Sequence, residues 1–134
     1  MATQRSFDID GDGVRAVLKT LSVRQPWASL IMSGAKDVEN RTWSTNYRGR
    51  LAIHAASRPD SEGVELYPDV DGPLGAILGT VELLDVVDDS RSKWARPGCW
   101  HWLLDDPRPL SRAFKTPGQQ SLWDLPKQCR RLLR

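Results

Sequence analysis

Residues 21–56, LSVRQPWASLIMSGAKDVENRTWSTNYRGRLAIHAA, decide how this chain is read. Pro26 sits where helices accept proline, at the first helical position, and Gly34 where they accept glycine, just past the end. Between them Trp27, Leu30 and Ile31 fall at i, i+3 and i+4, which predicts a short amphipathic helix packed on a sheet. After the glycine, residues 38–43 read as a strand. Its period of two places Glu39, Arg41 and Trp43 on one face and Val38, Asn40 and Thr42 on the other. Gly49 marks a turn over residues 47–50, and residues 51–55 form the next strand, with Leu51 and Ile53 opposite His54.

Working outward, residues 17–23 alternate loosely and enter the fold as a short strand. Residues 58–73 are polar, acidic and rich in Pro and Gly, a connecting loop with one helical turn near residues 62–66. Residues 76–87 are the clearest strand, apolar on both faces, so Glu82 within it needs a partner. The internal Gly79 suits a bent, closing sheet. Residues 99–104 form a further strand with Trp100 and Trp102 on one face, where their bulk predicts core packing, and Leu122 and Trp123 repeat that logic. The basic residues 127–134 read as helical. Short strands, turn-rich loops and a few helices predict a mixed α+β fold: a small β-barrel of about five to six strands with flanking helices.

The chain has 134 residues, with apolar content near the globular average. That predicts a single domain over residues 17–134, preceded by a mobile polar arm, residues 1–16. No apolar run is long enough to span a bilayer and the start lacks a signal pattern, so a soluble, cytoplasmic protein with no membrane contact is expected. Cys99 and Cys129 stand in no ligand-like spacing, which predicts reduced, structural thiols and no metal or other cofactor. Asp8, Asp10, Asp12 and Gly13 match the first half of a calcium loop, yet Lys19 stands where the bidentate glutamate is required, and calcium binding is not expected.

The formal net charge of +2 hides segregation: residues 60–89 carry nine carboxylates and no cation, while residues 24–50 and 127–134 are basic. Such segregation either orients a polyanion or is a solvated surface. In the deciding stretch, Arg24, Gln25, Trp27, Lys36, Glu39, Arg41, Trp43, Arg48 and His54 suit an anionic, aromatic ligand better than a core. The alternating Glu39, Arg41 and Trp43 form either a surface ion pair beside an exposed indole or the wall of a polar pocket. His54 is either a satisfied structural histidine or part of a site, and no nucleophile triad can be assembled around it.

The joined elements QPWASLIMSGAKDVENRTW and YRGRLAIHA, then GAILGTVELLDVV, SKWA, GCWHWLL and a late LW, resemble the ASCH (activating-signal-cointegrator homology) family over residues 18–125. The resemblance implies the PUA-like superfold, a small mixed barrel whose helices border a cleft, and relatives of that fold bind RNA or modified bases. On these residues it implies that Lys36, Arg41 and Arg48 contact phosphate, and that Trp27 or Trp43 stacks on an unpaired base. Glu39 would accept from an exocyclic amino group and Gln25 would add an edge contact. Arg24 and His54 would line or support the cleft, with Gly49 of the YRG element beside them.

Some members of the family resemble small amidohydrolases acting on acylated cytosine nucleosides, with a lysine, a threonine and a glutamate in catalytic roles, and others have been described as ribonucleases. Lys36 matches that lysine, but Glu39 stands where those enzymes place the threonine nucleophile, which removes the acyl-enzyme route. Lys36 with Glu39 would remain as a base and proton shuttle. Three functions follow: a reader of DNA or RNA, or of a nucleoside-type ligand; a small hydrolase using Lys36 and Glu39; and a protein-interaction module using the acidic residues 60–89.

Overall fold

A computed structural model describes residues 18–133. The expected N-terminal arm and the half calcium loop lie outside the described residues. In chain order the elements are β1 (Lys19–Val23), α1 (Trp27–Met32), β2 (Val38–Arg41), β3 (Gly49–Ala55), α2 (Ser61–Leu66), β4 (Ala76–Val87), β5 (Trp100–Lys115), β6 (Leu122–Asp124) and α3 (Lys127–Arg130), closed by a 3-10 turn, Arg131–Leu133. The six strands form one sheet in the order β2-β5-β4-β3-β1-β6, curved into a half-barrel. All pairs are antiparallel except β1 with β3, where Leu21 faces Ile53 and Ser22 faces His54. This is the mixed α+β, PUA-like architecture expected from the chain.

Every residue of the central strand β3 is buried, and its alternation feeds two apolar clusters. Leu51 and Ile53 join Leu21, Val23, Ile31, Val81, Leu83 and Trp102 under α1. Ala52 joins Leu18, Ile77, Trp123 and Leu125 on the other side. Glu82 finds the partner its strand demands: Arg50 Nη1 lies 3.4 Å from Glu82 Oε1, and the same guanidinium meets Thr80 Oγ1 at 3.1 Å and the Asp106 carbonyl at 2.7 Å.

Local expectations change in four places. Pro26 precedes α1 rather than opening it, and the buried stripe of that helix is Ala28, Ile31 and Met32, which turns Trp27 and Leu30 toward its partly exposed flank. β2 stops at Arg41, so Trp43 is no longer on its face. Trp100 and Trp102 share a strand, but only Trp102 is core; Trp100 is 38% exposed at the end of the sheet. Finally, β5 runs on to Lys115 through Pro107 and Pro109. Prolines are admitted there because β2 covers only Trp100 to Leu103 on that flank, and the pairing with β4 is bulged. At the bulge, a Cβ on Gly79 would stand 2.4 Å from the Arg108 carbonyl oxygen, so the bend requires glycine.

Candidate functional site

A cleft of about 700 Å3 opens between α1, the start of α2, β2 and residues 93–97. One wall is a linear chain of charges. Gly34, at φ +86, ends the turn after α1 and aims Lys36 inward. Its ammonium donates to the Val38 carbonyl and stands 3.1 Å from Glu39 Oε1. The other oxygen of Glu39 takes Arg41 Nε at 3.0 Å and Nη2 at 2.9 Å, and Arg41 Nη2 also donates to the Ser22 carbonyl at 2.8 Å. Lys36 and Glu39 are buried, Arg41 is half-buried, and the three together carry one excess positive charge. The alternation of Glu39 and Arg41 on β2 brings the carboxylate and guanidinium to one side, as their spacing predicts.

The second wall is aromatic. Trp27 meets Tyr67 edge-on at 5.7 Å and Trp94 edge-on at 6.5 Å, and Tyr67 lies 5.8 Å from Trp94. Trp27 is held by its Nε1, which donates to Asp60 Oδ2 at 2.9 Å. The same oxygen accepts from Gly63 N at 3.1 Å, so Asp60 caps α2 and anchors the indole at once. A Cβ at Gly63 would stand 2.8 Å from the Trp27 ring, and only glycine lets α2 approach this closely. Lys36 Nζ lies 5.8 Å from the centre of the Trp27 ring.

Trp94 sits on a loop without repetitive structure, pinned from three directions. Asn40 Nδ2 donates to the Trp94 carbonyl and Asn40 Oδ1 accepts from Arg96 N, each at 2.9 Å. Trp94 Nε1 donates to the Ala35 carbonyl at 2.8 Å. His101 accepts from Ser90 N at Nδ1 and donates to the Arg96 carbonyl through Nε2, which identifies its Nε2–H tautomer. Asn40, on the face of β2 opposite Glu39, therefore builds the site through the loop it holds.

The structure brings together Arg24, Trp27, Lys36, Glu39 and Arg41 of the residues singled out in the sequence. The others lie elsewhere. Gln25 is buried, its amide holding Ser29 and the Pro73 carbonyl. Trp43 packs edge-on against Trp102 at 4.9 Å and its carbonyl accepts the Trp102 indole N–H. Arg48 pairs with Asp85 at 3.0 Å, and the Val86 N–H, followed by that guanidinium, holds the Asp85 carboxyl below its ordinary range. Gly49 opens β3 at φ +113. His54 is buried at the end of a relay: Trp123 Nε1 donates to Ser22 Oγ at 3.3 Å, Ser22 Oγ reaches His54 Nδ1 at 2.9 Å, and His54 Nε2 donates to the Thr116 carbonyl at 2.7 Å. Burial lowers its pKa below 6.5, and the bond to Thr116 only partly offsets this.

Asp60, Tyr67, Lys93, Trp94 and Arg96 join the cleft without having been singled out as site residues. The SKWA stretch that carries Lys93 and Trp94 was the one available signal. Among the described residues, five cations and three carboxylates line the cleft. Among the described residues no cluster of His, Cys, Asp or Glu is arranged to hold a metal. The acidic run is dispersed by the fold: Asp60 caps α2, Glu82 meets Arg50, Asp85 meets Arg48, and Glu62 stands 3.7 Å from Arg96.

A mixed half-barrel with a charged and aromatic cleft between its first helix and strand defines a recognisable class, and the chain belongs to the ASCH domain family, whose model matches residues 21–106. It is 31% identical over 126 residues to activating signal cointegrator 1 of Homo sapiens and 32% identical over 127 residues to that of Mus musculus, each alignment covering 78% of this chain. The chain spans only 22% of the length of those two proteins. Among solved structures it is similar to ASCH from Zymomonas mobilis, with a TM-score of 0.57 at 19% identity over 86% of this chain and 92% of that one. A Y47F mutant of the same protein gives 0.55 at 19% identity, over 82% and 91%. These likenesses concern the fold.

Proposed function

We propose that this ASCH chain reads nucleic acid, seating one unpaired or flipped base against Trp27, Tyr67 and Trp94 while Arg24, Arg41, Lys93 and Arg96 meet the flanking phosphates. One observation carries the reading: five cations and three aromatic rings converge on a single cleft. Half-buried rings supply stacking without regard to sequence, and guanidinium groups supply charge-assisted donors. Lys36 and Glu39 then act as a fixed edge, able to meet the donors and acceptors of a base. A cytoplasmic location accords with the two cysteines, which stand as free thiols.

The same contacts weigh against hydrolysis. Both oxygens of Glu39 are engaged by cations, and the Lys36 amine is bound by a carboxylate and a carbonyl, an arrangement that suits a fixed recognition edge better than a free base. Titration of the protein with single- and double-stranded DNA and RNA at several salt concentrations tests the proposal. Binding that weakens in Trp94→Ala and Arg41→Ala supports it, and no binding at low salt to any of the four overturns it. Turnover of N4-acetylcytidine, abolished in Lys36→Ala, would establish the hydrolase instead.

A further inference from the structure

A second groove, of about 590 Å3, shares no residue with the cleft. Its floor is apolar: Leu110, Phe114 and Leu133 pack there on the smaller core cluster around Leu18. Among the described residues four arginines line it and no carboxylate does. Two are already committed, Arg50 to Glu82 and Asp106, and Arg108 to Asp106 at 2.9 Å. The other two are not. Arg112 is exposed and has no ion pair or hydrogen bond among the described residues. Arg130 gives Nη1 to the Leu125 carbonyl at 2.8 Å, but its Nε is buried with no acceptor among those residues. Arg112 and the accessible part of the Arg130 guanidinium thus leave charge-assisted donors in the groove for an anionic acceptor.

The backbone beside these arginines indicates what bears the anion. Between the pairs Gly79↔Pro109 and Ile77↔Phe114, β5 places four residues, Leu110 to Ala113, opposite the single Leu78. On the other flank β2 reaches only Trp100 to Leu103. Among the described residues the stretch from Leu110 to Ala113 therefore lies outside both ladders, an edge where an extended chain can align. We propose that this groove binds an extended acidic peptide, its carboxylates on Arg112 and Arg130 and its apolar side chains on Leu110 and Phe114. A nucleic-acid backbone fits less well, because the floor offers apolar surface for alternate side chains and, among the described residues, no aromatic stacking platform beyond Phe114.

The test uses the full chain and a fluorescently labelled peptide in which Asp alternates with Leu and Phe, read by anisotropy. Saturable binding is expected, weakened about tenfold by Arg112→Glu, the factor equivalent to one charge-assisted contact. A peptide with Lys in place of Asp should not bind, and a single-stranded oligonucleotide should not displace the acidic one. Arg112 is exposed and outside the cleft, so the variant should keep its circular dichroism and any oligonucleotide binding. No saturable binding, equal affinity in Arg112→Glu, or displacement by the oligonucleotide overturns the proposal.

Discussion

At the scale of single residues, Glu39 holds the site together. It is buried between Lys36 and Arg41, and removing it leaves two cations facing each other with no carboxylate between them. Glu39→Ala should cost about 3 kcal/mol, the order expected when one member of a buried ion pair is deleted, and urea unfolding would measure it. Trp94 makes a different prediction. Its ring lines the cleft, so Trp94→Ala should weaken nucleic-acid binding by about 1–3 kcal/mol, the usual range for one stacked base. His54 titrates the fold rather than the cleft. Its pKa is lowered by burial, so the unfolded chain takes up a proton near pH 6.5 before the folded one does. Its stabilising contribution is full above that pH and is lost as the pH falls from 6.5 through the lower folded value. Urea midpoints of the protein and of His54→Gln across this range should differ in slope, with the variant flatter at the acidic end.

At the scale of elements, two short pieces of backbone assemble the aromatic wall. α2 reaches Trp27 because Gly63 has no side chain and Asp60 both caps the helix and holds the indole. The loop carrying Trp94 is held by Asn40 through two hydrogen bonds. Asn40→Ala removes both, at a cost of about 1–2 kcal/mol in stability. Oligonucleotide affinity should fall further than stability predicts, because the loop that presents Trp94 and Arg96 is released. Equal affinity in this variant would show that the loop needs no such support. The approximate place of α1 and the full length of β4 were legible from proline, glycine and alternation, whereas β3 begins at Gly49, inside the stretch read as a turn. The C-terminal half of β5 was not, since Pro107 and Pro109 argue against a strand and only the missing neighbour on one flank makes them tolerable.

At the scale of the whole molecule, the near-neutral net charge conceals an arrangement that puts five cations around one cleft and four arginines around another groove. Affinity for a single strand should therefore fall linearly in logarithm with salt. For about three phosphates contacted, the slope should be about −2, from about −0.7 for each phosphate. A slope near zero would show that stacking alone holds the ligand. The fold also decides which charges are available: of the nine carboxylates in residues 60–89, Asp60 is taken up by a helix cap and Glu62, Glu82 and Asp85 by ion pairs with Arg96, Arg50 and Arg48.

The sequence by itself determined the fold class, the ASCH family, most element positions and one wall of the cleft, because Lys36, Glu39 and Arg41 are neighbours along the chain whose spacing dictates their side. Tertiary structure alone decided the second wall. Tyr67 and Trp94 are far from Trp27 in sequence, on segments with no periodicity, and they meet it only through long-range hydrogen bonds from Asp60 and Asn40. It also removed Trp43 and His54 from the cleft, since Trp43 packs against the core at Trp102 and His54 is buried with its own hydrogen-bond partners. Type and spacing are local properties, whereas solvent exposure and partnership are set by what the rest of the chain packs against.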